Sequence, residues 1–123
     1  METAEHAQPV VAVGPSWRRE RARQEFGTNT PEYVCTVYLP HAAPDDLITY
    51  TWERMGTAGH AGPEVLCEES ASPSQYPATD TYWHPLPGPL PSGAYRCRVR
   101  LNEAAVGTAP FAVVAHPDID GEK

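Results

Sequence analysis

Gly93-Ala94-Tyr95-Arg96-Cys97-Arg98-Val99-Arg100-Leu101 alternates without a break. Tyr95, Cys97, Val99 and Leu101 share one face of an extended chain, and Arg96, Arg98 and Arg100 share the other. A period of two over this length predicts a half-buried strand, its apolar set against a core and its arginines towards water. Asn102-Glu103 then turns the chain into a second run, Val106 to Val114. Pro110 lies inside that run and has no N–H for a ladder, which places the last strand at a sheet edge or at a bulge.

The same alternation recurs upstream. Tyr33, Cys35, Val37 and Leu39 share a face, and after the turn residues Pro40 to Asp46 so do Ile48, Tyr50 and Trp52 within Leu47 to Arg54. Val10 to Val13 is a short apolar run closed by Gly14-Pro15, and Val65 to Cys67 and Thr81 to His84 are short runs between loops. Ser16 to Phe26 has an N-cap serine and good helix formers but almost no apolar stripe. It is expected to be an extended connection with at most a turn of helix. About seven short strands and no long helix predict an all-β chain of two packed antiparallel sheets. Residues 1–8 are expected to be a disordered N-terminal segment, 9–115 the domain and 116–123 a flexible acidic tail.

The chain has 123 residues, enough for one core without a metal or staple. Its formal net charge of -7 argues against nucleic acid or an anionic membrane as the main partner. With 14 prolines and 9 glycines it is cut into short pieces, no apolar run is long enough to insert in a membrane, and it reads as soluble. Residues 1–8 lack the basic and apolar regions of a secretory signal, so a full-length chain would be cytoplasmic. Three cysteines instead suit an extracytoplasmic protein from which a leader has been removed. Both compartments stay open.

Cys35, Trp52 and Cys97, with Tyr95 two places before the second cysteine, resemble the core pattern of the immunoglobulin-like superfamily. Over roughly residues 28 to 114 the chain is most similar to the Ig-like modules of bacterial proteins. Thr30-Pro31-Glu32-Tyr33, Trp52, the run Gly93 to Asn102 and Val106-Gly107-Thr108-Ala109-Pro110-Phe111-Ala112-Val113 carry the likeness. Two features depart from it: many such modules have aliphatic residues where Cys35 and Cys97 stand, and the turn lacks the glycine usual after its asparagine.

The resemblance implies an immunoglobulin-like Greek-key sandwich and a binding role without catalysis. It implies a disulfide between Cys35 and Cys97, with Trp52 over it and Tyr95 as a tyrosine corner. If the cysteines face each other across the sheets, their bond stabilises the fold by about 4 kcal/mol in the chain-entropy account. The Pro85-Leu86-Pro87-Gly88-Pro89-Leu90-Pro91 stretch is expected to be a rigid connection setting up that corner. The family's strand arrangement would set Arg96, Arg98 and Arg100 beside Thr49, Thr51 and Glu53 on one outer face. Such a row can grip carboxylates or phosphates in bidentate pairs, or it can be a solvated face neutralised by Glu53. Charge reversal at Arg98 is expected to disturb a partner without unfolding the domain.

Trp17 and Arg18, in a cluster with Arg19, Arg21 and Arg23, form a second candidate anchor for a partner, blunted by Glu20 and Glu25. Cys67 is the odd cysteine, and Glu68 and Glu69 beside it should raise its thiol pKa, against a nucleophilic role. The five histidines stand apart, and no Cys-x-x-Cys or His-x-x-x-His occurs, so no metal or cofactor is expected. The expected function is a non-enzymatic protein-recognition or scaffold module, monomeric or weakly self-associating. The alternatives are an enzyme or enzyme subunit using Cys67 with His60 or His84, and a structural oligomer joined by strand edges.

Overall fold

The computed structural model describes residues 10–16, 22–56 and 62–115. Its strands are β1 (Val11–Gly14), β2 (Glu25–Gly27), β3 (Glu32–Tyr38), β4 (Ile48–Arg54), β5 (Glu64–Ala71), β6 (Thr81–Pro87), β7 (Gly93–Leu101) and β8 (Ala104–Val114), with a 3-10 turn at Pro73–Gln75. They form an all-β structure of two sheets, ordered β1-β3-β6 and β2-β8-β7-β4-β5. Each run expected from alternation is a strand, though β5 and β6 extend beyond the three- or four-residue runs legible in the sequence.

The expectation of purely antiparallel sheets is corrected at β2. After Gly14 the chain leaves the first sheet, and Glu25–Gly27 joins the second in parallel with Ala112–Val114. Pro15 helps to end β1, because it has no N–H with which to continue the ladder. The reading of Ser16 to Phe26 as connection therefore holds only up to Gln24 among its described residues. The expected edge position of the last strand is also corrected: β8 lies between β7 and β2. Ala112 N–H donates to Gln24 O at 2.9 Å, so amides of this parity point away from β7. Pro110, two residues earlier, thus lacks its N–H on the side where β7 does not need one.

The inward faces are as the alternation predicts. Ile48, Tyr50 and Trp52 from β4, Tyr33, Cys35 and Val37 from β3, and Tyr95, Cys97 and Val99 from β7 are all at most 1% exposed. Phe111 is the hub of an aromatic cluster, edge-on to Phe26 and Trp52 and stacked with Tyr33 and Tyr95, with ring centroids 5.5 to 6.1 Å away. These offset and edge-on arrangements suit the ring quadrupoles and add to the area each ring removes from water.

Two connections carry specific chemistry. Pro85 and Pro87 belong to β6, paired with Val34 and Glu32, so the rigid connection expected from residue 85 is limited to residues 88–92. It turns at Gly88, where a Cβ would collide with the Thr30 carbonyl oxygen. The Tyr95 hydroxyl donates to the Pro91 carbonyl, and Leu90 N–H donates to the Tyr33 hydroxyl. Between β7 and β8, Asn102 adopts φ 59°, the left-handed region that asparagine tolerates. Its Oδ1 accepts from Leu47 N–H at 3.0 Å and its backbone N–H donates to Leu47 O, fastening the turn to the start of β4.

Candidate functional site

Ladder register places Thr49, Thr51 and Glu53 of β4 opposite Arg100, Arg98 and Arg96 of β7. The arrangement expected on the outer sheet face is therefore present, with a difference in depth. Thr49, Thr51 and Glu53 are 5%, 2% and 3% exposed, while the arginine side chains keep 29 to 41% of their surface open. The long arginines on one side and β5 on the other roof over the middle strand. The β4 residues thus shape the face from beneath, and the arginines present it.

Glu53 organises this face. Its Oε1 accepts from Arg96 Nε at 2.6 Å and from Arg98 Nε at 2.9 Å, and its Oε2 accepts from Arg98 Nη2 at 3.0 Å. Burial opposes ionisation of this carboxyl, but the hydrogen bonds and charges of Arg98 and Arg96 together outweigh it and hold its pKa below the ordinary value. Its hydrogen bond in turn raises Arg98 further. A second carboxylate, Glu68, accepts from Thr51 Oγ1 at 2.7 Å and from Arg100 Nη2 at 3.2 Å through Oε2. Thr49 and Ser70 share a hydroxyl pair at 2.9 Å.

Next to Arg96 the face dips into a trough of about 610 Å³. Ala94 and Ala112, ladder partners on β7 and β8, make its floor because neither side chain is large enough to fill it. Met55, Gln24, Pro110 and Arg96 wall it. A second groove, of about 370 Å³, runs between β1 and β8 beside Arg23 and Gln24.

The sulfurs of Cys35 and Cys97 come from facing sheets and meet in the core as buried free thiols. Burial, then the hydrogen bond and charge of Cys35, push the Cys97 thiol well above its ordinary value. Trp52 is the ladder partner of Cys97, and its indole N–H donates to His84 Nδ1 at 3.0 Å. His84 stacks on Tyr50, whose hydroxyl lies 2.9 Å from that of Tyr76; Tyr76 donates onward to the Trp83 carbonyl. Burial lowers the His84 pKa despite the nearby Glu69 and raises that of Tyr50.

Cys67 flanks Trp52 on the other side, from β5. Burial, then Glu69 and Cys97, raise its thiol pKa. Glu68, expected to contribute, instead belongs to the outer face with Arg100. The neutral His84 ring accepts from Trp52 with its one available lone pair, so its other nitrogen carries the proton and is no base for Cys67. His60, Trp17, Arg18, Arg19 and Arg21 lie outside the described residues. Among those described, no group of three or more His, Cys, Asp or Glu could hold a metal ion, and no helix is long and apolar enough to cross a membrane.

Sequence alternation located the arginine row but missed Glu68, because the apolar run legible in the sequence ends at Cys67, whereas β5 continues to Ala71 and sets Glu68 opposite Thr51. The trough was missed because its signal is two alanines paired across a ladder, which no motif marks.

No family model and no curated protein matches the chain. Among solved structures, it is similar to Pseudomonas fluorescens alkylpurine DNA glycosylase AlkC bound to DNA containing an abasic site analog, with a TM-score of 0.41 and 16% identity. The match covers 89% of this chain and 32% of that one, so the chain spans about a third of that protein's length. At that score the likeness carries no inference about this chain.

Proposed function

We propose that the chain is a non-enzymatic recognition or scaffold module with an immunoglobulin-like sandwich, holding a protein partner on the outer face of its five-stranded sheet. The observation that carries this is the Glu53-centred arginine row: Arg96 and Arg98 are fixed from beneath by one buried carboxylate and stay partly open above. A guanidinium already held in place loses less rotamer freedom when a partner carboxylate arrives, so more of each new hydrogen bond appears as affinity.

The immunoglobulin-like reading is supported by the strand order, by Cys35 and Cys97 meeting beside Trp52, and by the Tyr95 hydroxyl reaching back to Pro91. A likeness to bacterial modules of this kind goes with it. The module role is a reading of the site, since this architecture hosts many functions.

One edge strand of each sheet bears on self-association. β5 is the outer strand of the larger sheet and carries a bulge at Leu66 and a charged Glu69 on its inward parity; β6, an edge of the smaller, carries Pro85 and Pro87. Bulges, inward charges and prolines oppose edge pairing and favour a monomer. The test is retention of a partner captured from native lysate by Arg100→Glu, which leaves Glu53 paired. Loss of that partner is expected. A complex unaffected by this reversal, and by Arg96→Gln, would remove the face from consideration.

A further inference from the structure

The trough beside Arg96 has a chemistry of its own. Arg96 uses Nε on Glu53, and among the described residues its two terminal nitrogens have no hydrogen-bond partner. They border a dip floored by Ala94 and Ala112 and walled by Met55 and Pro110, so cationic donors and apolar surface converge within one side chain's reach. The positive charge of the face is carried by Arg96, Arg98 and Arg100 of β7; Glu53 and Glu68 pair with them, and Glu25 of β2, the ladder partner of Ala112, adds a third carboxylate at the edge of the sheet. Arginines and carboxylates thus balance over the face, and the terminal nitrogens of Arg96 form a local cationic spot at the trough. An acidic group is drawn to that spot, while the net charge of -7 disfavours it elsewhere on the molecule.

Resting on the recognition-module reading, we propose that this trough is the specificity pocket of the module. It takes an extended protein segment in which an aliphatic side chain fills the dip over Ala94 and Ala112 while a neighbouring carboxylate pairs with the terminal nitrogens of Arg96. The pairing of the two requirements is the point: a carboxylate alone could also use the donors that Arg98 and Arg100 do not spend on Glu53 and Glu68, and an apolar side chain alone would find a shallow, open dip. Together they fix register along β7. Gln24, at the rim, supplies an amide that can meet the segment's backbone.

The test is a heteronuclear NMR titration of the full chain with a short capped peptide alternating glutamate with leucine, against two controls in which lysine replaces glutamate or serine replaces leucine. Saturable shifts centred on Ala94, Arg96 and Ala112 are expected with the first peptide only. Arg96→Gln, which also removes a donor to Glu53 and is therefore compared only after its own spectrum shows the native fold, should raise the dissociation constant roughly tenfold, the loss of a charge-assisted bond. Ala112→Trp, which fills the dip and leaves Glu53 untouched, should abolish the shifts, and Arg100→Gln should leave them in place. An equal response to the lysine peptide, or shifts that survive Ala112→Trp, would overturn the proposal. So would concentration-dependent shifts at the same residues without peptide, which would assign the trough to a second copy of the chain. A captured partner that Ala112→Trp retains but Arg100→Glu loses would leave the module reading standing and remove the trough alone.

Discussion

Glu53 and Arg98 form a two-pronged ion pair, Nε to Oε1 at 2.9 Å and Nη2 to Oε2 at 3.0 Å, with the glutamate only 3% exposed. A buried carboxylate stays ionised only while its donors stay in place. The arginine face is therefore part of the fold as well as the proposed surface for a partner, and this alters what substitutions there should do.

Arg98→Glu would set a second carboxylate against buried Glu53, so unfolding or gross destabilisation is now expected where surface reasoning anticipates a folded variant. Glu53→Gln should cost about 2 kcal/mol, the value of charge-assisted hydrogen bonds to a buried group. Arg100→Glu should stay within about 0.5 kcal/mol, because Arg100 and Glu68 are both well exposed. Urea unfolding of the three variants checks this order.

Acid should weaken the fold in two windows. His84 has a lowered pKa in the folded chain, so the unfolded chain binds the extra proton first. Its contribution is complete above the ordinary value of 6.5 and is lost as pH falls from there through the folded value. Glu53 is also lowered, and its contribution is present above the ordinary 4.5 and lost as pH falls through its own folded value. Stability measured against pH should show both declines. His84→Gln should remove the upper one and leave the lower.

Phe111→Ala should cost about 3 to 5 kcal/mol, because it empties the position that four other aromatic rings pack against. A loss below about 1 kcal/mol in thermal unfolding would mean that the cluster collapses around the gap.

Cys35 and Cys97 should be oxidised to a disulfide when an external oxidant accepts their two protons and two electrons, because both thiols already meet between the sheets. Free thiols should fall from three to one, and the cross-link should raise stability by about 4 kcal/mol in the chain-entropy account. Destabilisation on oxidation would show that the pair does not reach disulfide geometry. Cys67 should alkylate more slowly than a free cysteine peptide, since burial and Glu69 suppress its thiolate. Faster alkylation would favour the thiol-catalysis alternative.

The core strands were legible because their periodicity is a local property. Tyr95, Cys97 and Val99 face inward as alternation requires, and so do Ile48, Tyr50 and Trp52. What escaped was set by tertiary pairing. The parallel strand at Glu25–Gly27 is too short to show a period, and it exists because β8 offers a free edge at Ala112–Val114. Asn102 takes the left-handed position itself, so the missing glycine after it does not disturb the turn. In the candidate site the arginines could be read from spacing, whereas the burial of Glu53 depends on side chains from β5 and β7 closing over β4.

We propose that a protein partner rests on the arginine face fixed by Glu53. Hydrogen–deuterium exchange of the chain, free and bound to a partner purified by capture, tests it most directly. Added protection should centre on β7 around Arg96 to Arg100 and on the facing stretch of β8 at Thr108 to Ala112. Protection confined to β1, β3 and β6, with these segments unchanged, would contradict it.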